Sequence, residues 1–125
     1  MKVTLETSQQ SNAQVRRTLA KLAKAYPEAL GKALQEEALG IFTQSQERVP
    51  VDTGRLRASG GTKNTGSPLN PAWAIYYDTV YAVPVHERHS TKSLFLLGPF
   101  QEAASGMAER LAERTRRRVA RDAAT

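Results

Sequence analysis

Val49-Pro50-Val51-Asp52-Thr53-Gly54-Arg55-Leu56-Arg57-Ala58-Ser59 is the stretch at which one architecture stops and another starts. The residue before a proline is pushed out of the α region, so Val49 should end the helix that precedes it. Asp52 and Thr53 can accept bonds from backbone amides ahead of them, and Gly54 supplies a positive φ without steric cost. Beyond the turn, Leu56 and Ala58 alternate with Arg55, Arg57 and Ser59, the two-residue period of a half-buried strand. The expectation is helix before Pro50 and strand from Leu56 to about residue 62.

Upstream, Leu30, Leu34, Ala38, Ile41 and Ser45 recur at helical spacing, with Phe42 and Val49 beside them. This predicts a helix over 27–48, roughly 33 Å long at about 1.5 Å per residue. Pro27 suits its first turn, and Glu28 suits the positive end of its dipole. Gly31 and Gly40 each weaken it by about 1 kcal/mol relative to alanine, and such small residues let another backbone approach. A shorter helix is predicted over 13–25, where Val15, Leu19, Leu22 and Tyr26 share a face and Arg16, Arg17, Lys21 and Lys24 lie on the others. Residues 1–6 alternate like a short strand, and 7–12 read as a loop.

Downstream, Gly66, Pro68, Asn70 and Pro71 crowd one segment, so 63–71 reads as a mobile loop. An assembly or ligand contact there is weighed against a plain hairpin connection. Residues 72–77 and 80–87 are the strongest strand signals, rich in β-branched and aromatic side chains. Pro84 cannot donate to a ladder and places the second of them at an edge or a bulge. Alternation puts Trp73, Ile75 and Tyr77 on one face and Ala74, Tyr76 and Asp78 on the other. One face should be core and the other is a candidate interface, with Trp73 and Tyr76 as the candidate interface residues, weighed against both faces being covered within the monomer. Residues 94–97 form a short buried run. A last helix is expected from Pro99, with Phe100, Ala104, Met107, Leu111 and Thr115 as its apolar face. The fold class is α+β: two N-terminal helices, the second long, a small antiparallel sheet of about three to four strands, and a C-terminal helix.

A chain of 125 residues, 24% charged and 40% hydrophobic, is one globular domain by length and composition. Within 1–125 the N-terminal 1–12 is read as flexible or a short strand, and 116–125 as a basic tail prone to fraying. The chain has no cysteine, which removes disulfides and thiolate metal sites. No apolar run approaches a membrane span and the N-terminus carries no export pattern, so synthesis in the cytoplasm is expected.

The net charge is +6, and residues 110–121 hold six arginines against the single acidic Glu113. A basic surface is drawn to polyanions by counterion release. Arg114, Arg116, Arg117 and Arg118 are therefore candidates to face DNA or an acidic partner. The alternative is a solvated helix end favoured by the dipole. No aromatic residue interleaves them, so any DNA contact would be to phosphates.

Little else suggests chemistry. His86 and His89 follow a strand, where positions three apart point to opposite faces, and no third ligand has clear spacing. No glycine-rich phosphate loop is present, and Ser59 and Ser67 lack a nucleophile-elbow context. Glu36-Glu37 is the only adjacent acidic pair. The expectation is a protein without catalysis, cofactor, metal or small-molecule substrate. A hydrolase centred on His86, Glu87 and His89 is the minor alternative.

Pro50, Thr53, Gly54, Leu56, Arg57 and Ser59, with Asp52 inside the run, resemble the Pro-x-x-Thr-Gly-x-Leu-Arg-x-Ser signature of tailed-bacteriophage neck and tail-completion proteins of the minor-tail-protein-Z kind. The likeness continues through Tyr81-Ala82, Glu87 and Phe95-Leu96, and covers roughly residues 12–120. Arg88-His89-Ser90 stand where members of that family often carry a glycine. The resemblance implies a virion structural protein of the head–tail neck, made in the host cytoplasm. It would complete or join the tail to the capsid connector as a homo-oligomeric ring, beside other neck and tail proteins and near packaged DNA, with no membrane. The reading set against it is a small basic nucleic-acid-binding protein using the arginine-rich last helix.

Overall fold

The computed structural model describes residues 2–6, 13–50, 54–78 and 95–124, with 2–6 and 13–16 described as backbone. The fold is α+β, mostly helical, with a small antiparallel sheet. In order come β1 (Lys2–Glu6), α1 (Ala13–Ala25), α2 (Pro27–Arg48), α3 (Arg55–Ala58), β2 (Gly60–Asn64), β3 (Ala72–Tyr77), α4 (Leu97–Ala104) and α5 (Met107–Ala124). In the sheet β3 is central, pairing antiparallel with β1 on one side and β2 on the other.

The long helix α2 is the spine. It buries Leu30, Ala33, Leu34, Glu37, Ala38, Ile41 and Ser45, the heptad-like spacing that puts one broad helix face inside. It packs against β2 and β3 and against α1, α4 and α5, so each remaining layer is assembled on it. The core gathers Leu19 of α1, Leu30, Leu34 and Ile41 of α2, Ile75 and Tyr77 of β3, and Leu111 of α5. Val49, Leu56, Phe95 and Leu96 close it from the connections. Pro27 opens α2 in its first turn, where the missing N–H has no helical partner to lose. Val49 closes it: its dihedrals are extended and its N–H bonds Ser45 O at 2.9 Å.

Past Pro50 the structure differs from the strand expected at Leu56. Arg55–Ala58 is one helical turn, and the strand begins only at Gly60. Gly54 starts the turn in the left-handed region (φ 73), and Ala58 N–H bonds Gly54 O at 3.0 Å. Leu56 is the only side chain of the four that is buried. A single buried position among four exposed neighbours fits a helical turn as well as a strand, and a helical turn satisfies the local backbone without a pairing partner.

The expected loop over 63–71 begins later than its composition suggests, because Lys63 and Asn64 still pair with Ala74 and Trp73 in the sheet. Thr65 and Gly66 N–H both donate to Ala72 O, and Ser67 exchanges bonds with Asn70, so the connection is a hydrogen-bonded hairpin.

The last helix is also corrected. It starts at Leu97 and is broken at Ser105–Gly106, where Gly106 is left-handed (φ 72). Its expected apolar face is thus divided between two helices, and Ala104 is exposed. Residues 116–124, expected as a tail, belong to α5. Asp52, Thr53, the strand expected over 80–87 with Tyr81 and Ala82, and the His86-Glu87-Arg88-His89 cluster lie outside the described residues.

Candidate functional site

The signature residues that are described meet at one corner, where α2 hands over to the sheet. Pro50 is buried, Gly54 makes the left-handed turn, and Leu56 enters the core. Ser59 fastens the corner to the central strand: its Oγ donates to Leu56 O at 2.7 Å and accepts from Asp78 N–H at 3.1 Å. Arg57 stays exposed and meets Gln46 twice, its Nε donating to Gln46 Oε1 at 3.4 Å and its carbonyl accepting from Gln46 Nε2 at 3.2 Å.

Gln46 links this corner to Tyr77, donating to its hydroxyl at 2.9 Å, while Ser45 Oγ lies 2.8 Å from the same oxygen. Phe95 stands edge-on to the Tyr77 ring with centroids 5.0 Å apart, and Phe42 lies at 6.2 Å. Burial pushes the Tyr77 phenol above its ordinary ionisation range, only partly offset by the bonds from Ser45 and Gln46. These contacts position backbone and core.

The four arginines singled out in the sequence divide into two sets. Arg114 bonds Glu36 Oε2 at 2.6 Å and lies 3.4 Å from Glu37, and Arg118 also bonds Glu36. Arg110 adds a forked contact to Glu37, 2.8 Å from Nε and 3.3 Å from Nη2. Positions 110, 114 and 118 recur every four residues, so all three side chains leave the same face of α5 and meet α2. Burial raises the Glu36 carboxyl, but hydrogen bonds from Arg118 and Arg114 outweigh it and leave the group below its ordinary range. Arg116 and Arg117 point elsewhere, and both reach only Glu113 on their own helix, at 3.4 and 2.9 Å. The Glu36–Glu37 clamp was not anticipated from composition. Its signal was the four-residue arginine spacing set against the one adjacent acidic pair.

Trp73, a candidate interface residue, packs partly against the core, whereas Tyr76 is half-buried on the opposite face of the sheet. Lys63 Nζ sits 5.4 Å from the Tyr76 ring centroid, within cation–π range. The two aromatic residues therefore do not share a surface. An open groove of about 420 Å³ runs between α2 and the hairpin, bordered by Gly31, Lys32, Gln35, Pro68, Pro71 and Trp73. A Cβ at Gly31 would stand 3.5 Å from the Pro71 side chain, an ordinary contact, so the approach of the hairpin does not require glycine there, and Gly40 faces open space.

Among the described residues no three acidic, histidine or cysteine side chains are grouped to hold a metal, and no described helix is long and apolar enough to cross a membrane. No family model, no curated protein sequence and no solved structure matches this chain.

Proposed function

We propose that this chain is a structural subunit of the head–tail neck of a tailed bacteriophage, one copy of a ring that completes the tail or joins it to the capsid connector without a catalytic step. The observation that carries this reading is the joint made by Pro50, Gly54, Leu56 and Ser59. Residues that the resemblance singles out converge on the one corner that orients the long helix against the sheet. A subunit that must hold a fixed angle between two layers while bearing load has reason to keep such a corner.

Surfaces suited to assembly support the reading. Leu69 is 73% exposed at the tip of the β2–β3 hairpin, an apolar knob on a polar loop. Among the described residues β1 and β2 are the outer strands of the sheet, and an outer strand offers unpaired backbone groups to a neighbour. Head-to-tail use of such unlike surfaces closes a ring when the rotation permits.

The test is deletion of the gene in its producing host, with the lysate viewed by electron microscopy. Full heads lying apart from separate tails are the expected result. Tails of abnormal length would shift the role to tail termination. Normal, infectious particles would overturn the proposal.

A further inference from the structure

We infer that the outer side of α1 and α5 forms one basic face that binds duplex DNA through its phosphates, and that Arg17, Lys21, Lys24, Arg116 and Arg117 make it. Where the neck reading concerns position in a particle, this concerns the free chain in solution, so either can fail without the other.

Arg110, Arg114 and Arg118 are engaged with Glu36 and Glu37 of α2, so they hold the helix down and are poorly placed to reach a ligand. That leaves Arg116 and Arg117, whose side chains are 66% and 78% exposed. Their partner Glu113 is itself half exposed. Exposed pairs of this kind contribute little, so a phosphate can replace the carboxylate at low cost.

α1 extends the surface. Its sequence contains basic residues and no acidic one. Arg17, Lys21 and Lys24 are exposed and spaced i, i+4, i+7, which places them in one stripe. Leu19 is buried, and Leu22 and Ala23 are half-buried against the core, so the stripe runs along the side of the helix turned away from it. α1 packs on α5, and both pack on α2. The two sets of cations thus belong to neighbouring helices.

The stripe fits a duplex better than a single strand. Arg17 to Lys24 spans about 10 Å of helix, and duplex DNA presents one charge per about 1.7 Å of its axis. No aromatic side chain lies among these five residues, so nothing offers the stacking platform on which single-stranded binding depends. Phosphate contacts alone carry no base information, so binding will be indifferent to sequence.

The experiment is anisotropy of a labelled DNA duplex titrated with the full chain over a series of KCl concentrations. Each phosphate neutralised contributes a slope of about 0.9 in log K against log salt. The triple variant Arg17→Gln/Lys21→Gln/Lys24→Gln should lower the slope by about 2 to 3 and weaken binding at low salt at least tenfold. Lys63→Gln, an exposed lysine beside Tyr76 on the sheet, should leave the slope unchanged. Circular dichroism of each variant checks that the fold persists, which is expected for fully exposed positions. Three results would overturn the inference: no binding of the parent chain at low salt, equal losses in both variants, or binding to anionic lipid vesicles without binding to the duplex.

Discussion

The hydroxyl of Tyr77 lies 2.8 Å from Ser45 Oγ, so the central strand and the spine helix are joined by a buried polar contact inside an otherwise apolar core. Ser45 is fully buried, and a buried hydroxyl that loses its partner has no water to replace it. Tyr77→Phe should therefore destabilise the protein by about 1–2 kcal/mol, although it removes a single oxygen. Adding Ser45→Ala should then cost less than Ser45→Ala alone, because the orphaned group is gone. Urea unfolding of the four chains of this cycle measures the coupling. Additive losses would show that the contact is not cooperative.

Arg110 joins three elements at once. It grips Glu37 of α2 by two nitrogens and also donates to Ala103 O and Ser105 O, the carbonyls at the end of α4. Glu37 is 6% exposed. Arg110→Ala should leave that carboxylate buried without its fork, at a cost of about 2 kcal/mol, held below the fully buried case because the arginine is partly solvated. Arg116→Ala should change stability by less than about 0.5 kcal/mol, since it removes only an exposed pair on one helix. Denaturation midpoints of the two variants will separate by well over the error of the measurement if the clamp matters. Equal midpoints would mean that the Arg110 fork adds nothing to the hold on α5.

Glu36 and Tyr77 act at opposite ends of the pH profile. Glu36 is depressed in the folded state by Arg118 and Arg114 despite its burial. A depressed carboxyl contributes stability above its unfolded pKa and loses it as pH falls through the folded value, so the loss begins below the ordinary carboxylate range near 4.5. Tyr77 is raised above the ordinary phenol value of 10.0 by burial. A raised phenol contributes stability below its unfolded pKa and loses it as pH climbs past that value. Glu36→Gln should flatten the acid limb of a melting-temperature profile, and Tyr77→Phe the alkaline limb. Each variant should leave the opposite limb unchanged.

The elements that could be read from residue patterns are those whose signal is long. Leu30, Leu34, Ala38, Ile41 and Ser45 repeat over about four turns, and no shorter-range preference overrides them. The Val49-Pro50 stop is equally legible, because proline acts on its neighbour through sterics alone. Leu56 was misassigned because Arg55–Ala58 is too short to have a period: one buried residue in four is compatible with a turn or a strand. The break at Gly106 was hidden for a different reason. Helical spacing carries on from Phe100 to Thr115 regardless of whether the axis bends between them. At the candidate site, the positive charge of residues 110–121 was visible but its direction was not. Only the placement of Glu36 and Glu37 on α2 divides Arg114 and Arg118 from Arg116 and Arg117.

Two glycines with opposite roles give a final check on the architecture. Gly40 lies within α2, is exposed, and an added Cβ would meet nothing within 4 Å. Gly40→Ala should therefore stabilise the protein by about 0.5–1 kcal/mol through helix propensity and a less flexible unfolded chain. For a domain of this size that is a rise of roughly 2–5 °C in melting temperature. Gly54 also has open space around it, but its φ of 73 is unfavourable for any residue with a Cβ. Gly54→Ala should destabilise by about 1 kcal/mol, because the left-handed turn must be kept for Leu56 to reach the core. Both substitutions add one methyl group to an uncrowded position, so packing cannot explain a difference in sign. If Gly40→Ala lowers the melting temperature, that part of α2 lies against another surface in solution, and a second copy of the chain is the first place to look. Sedimentation of the parent and Gly40→Ala proteins at matched concentrations would decide it.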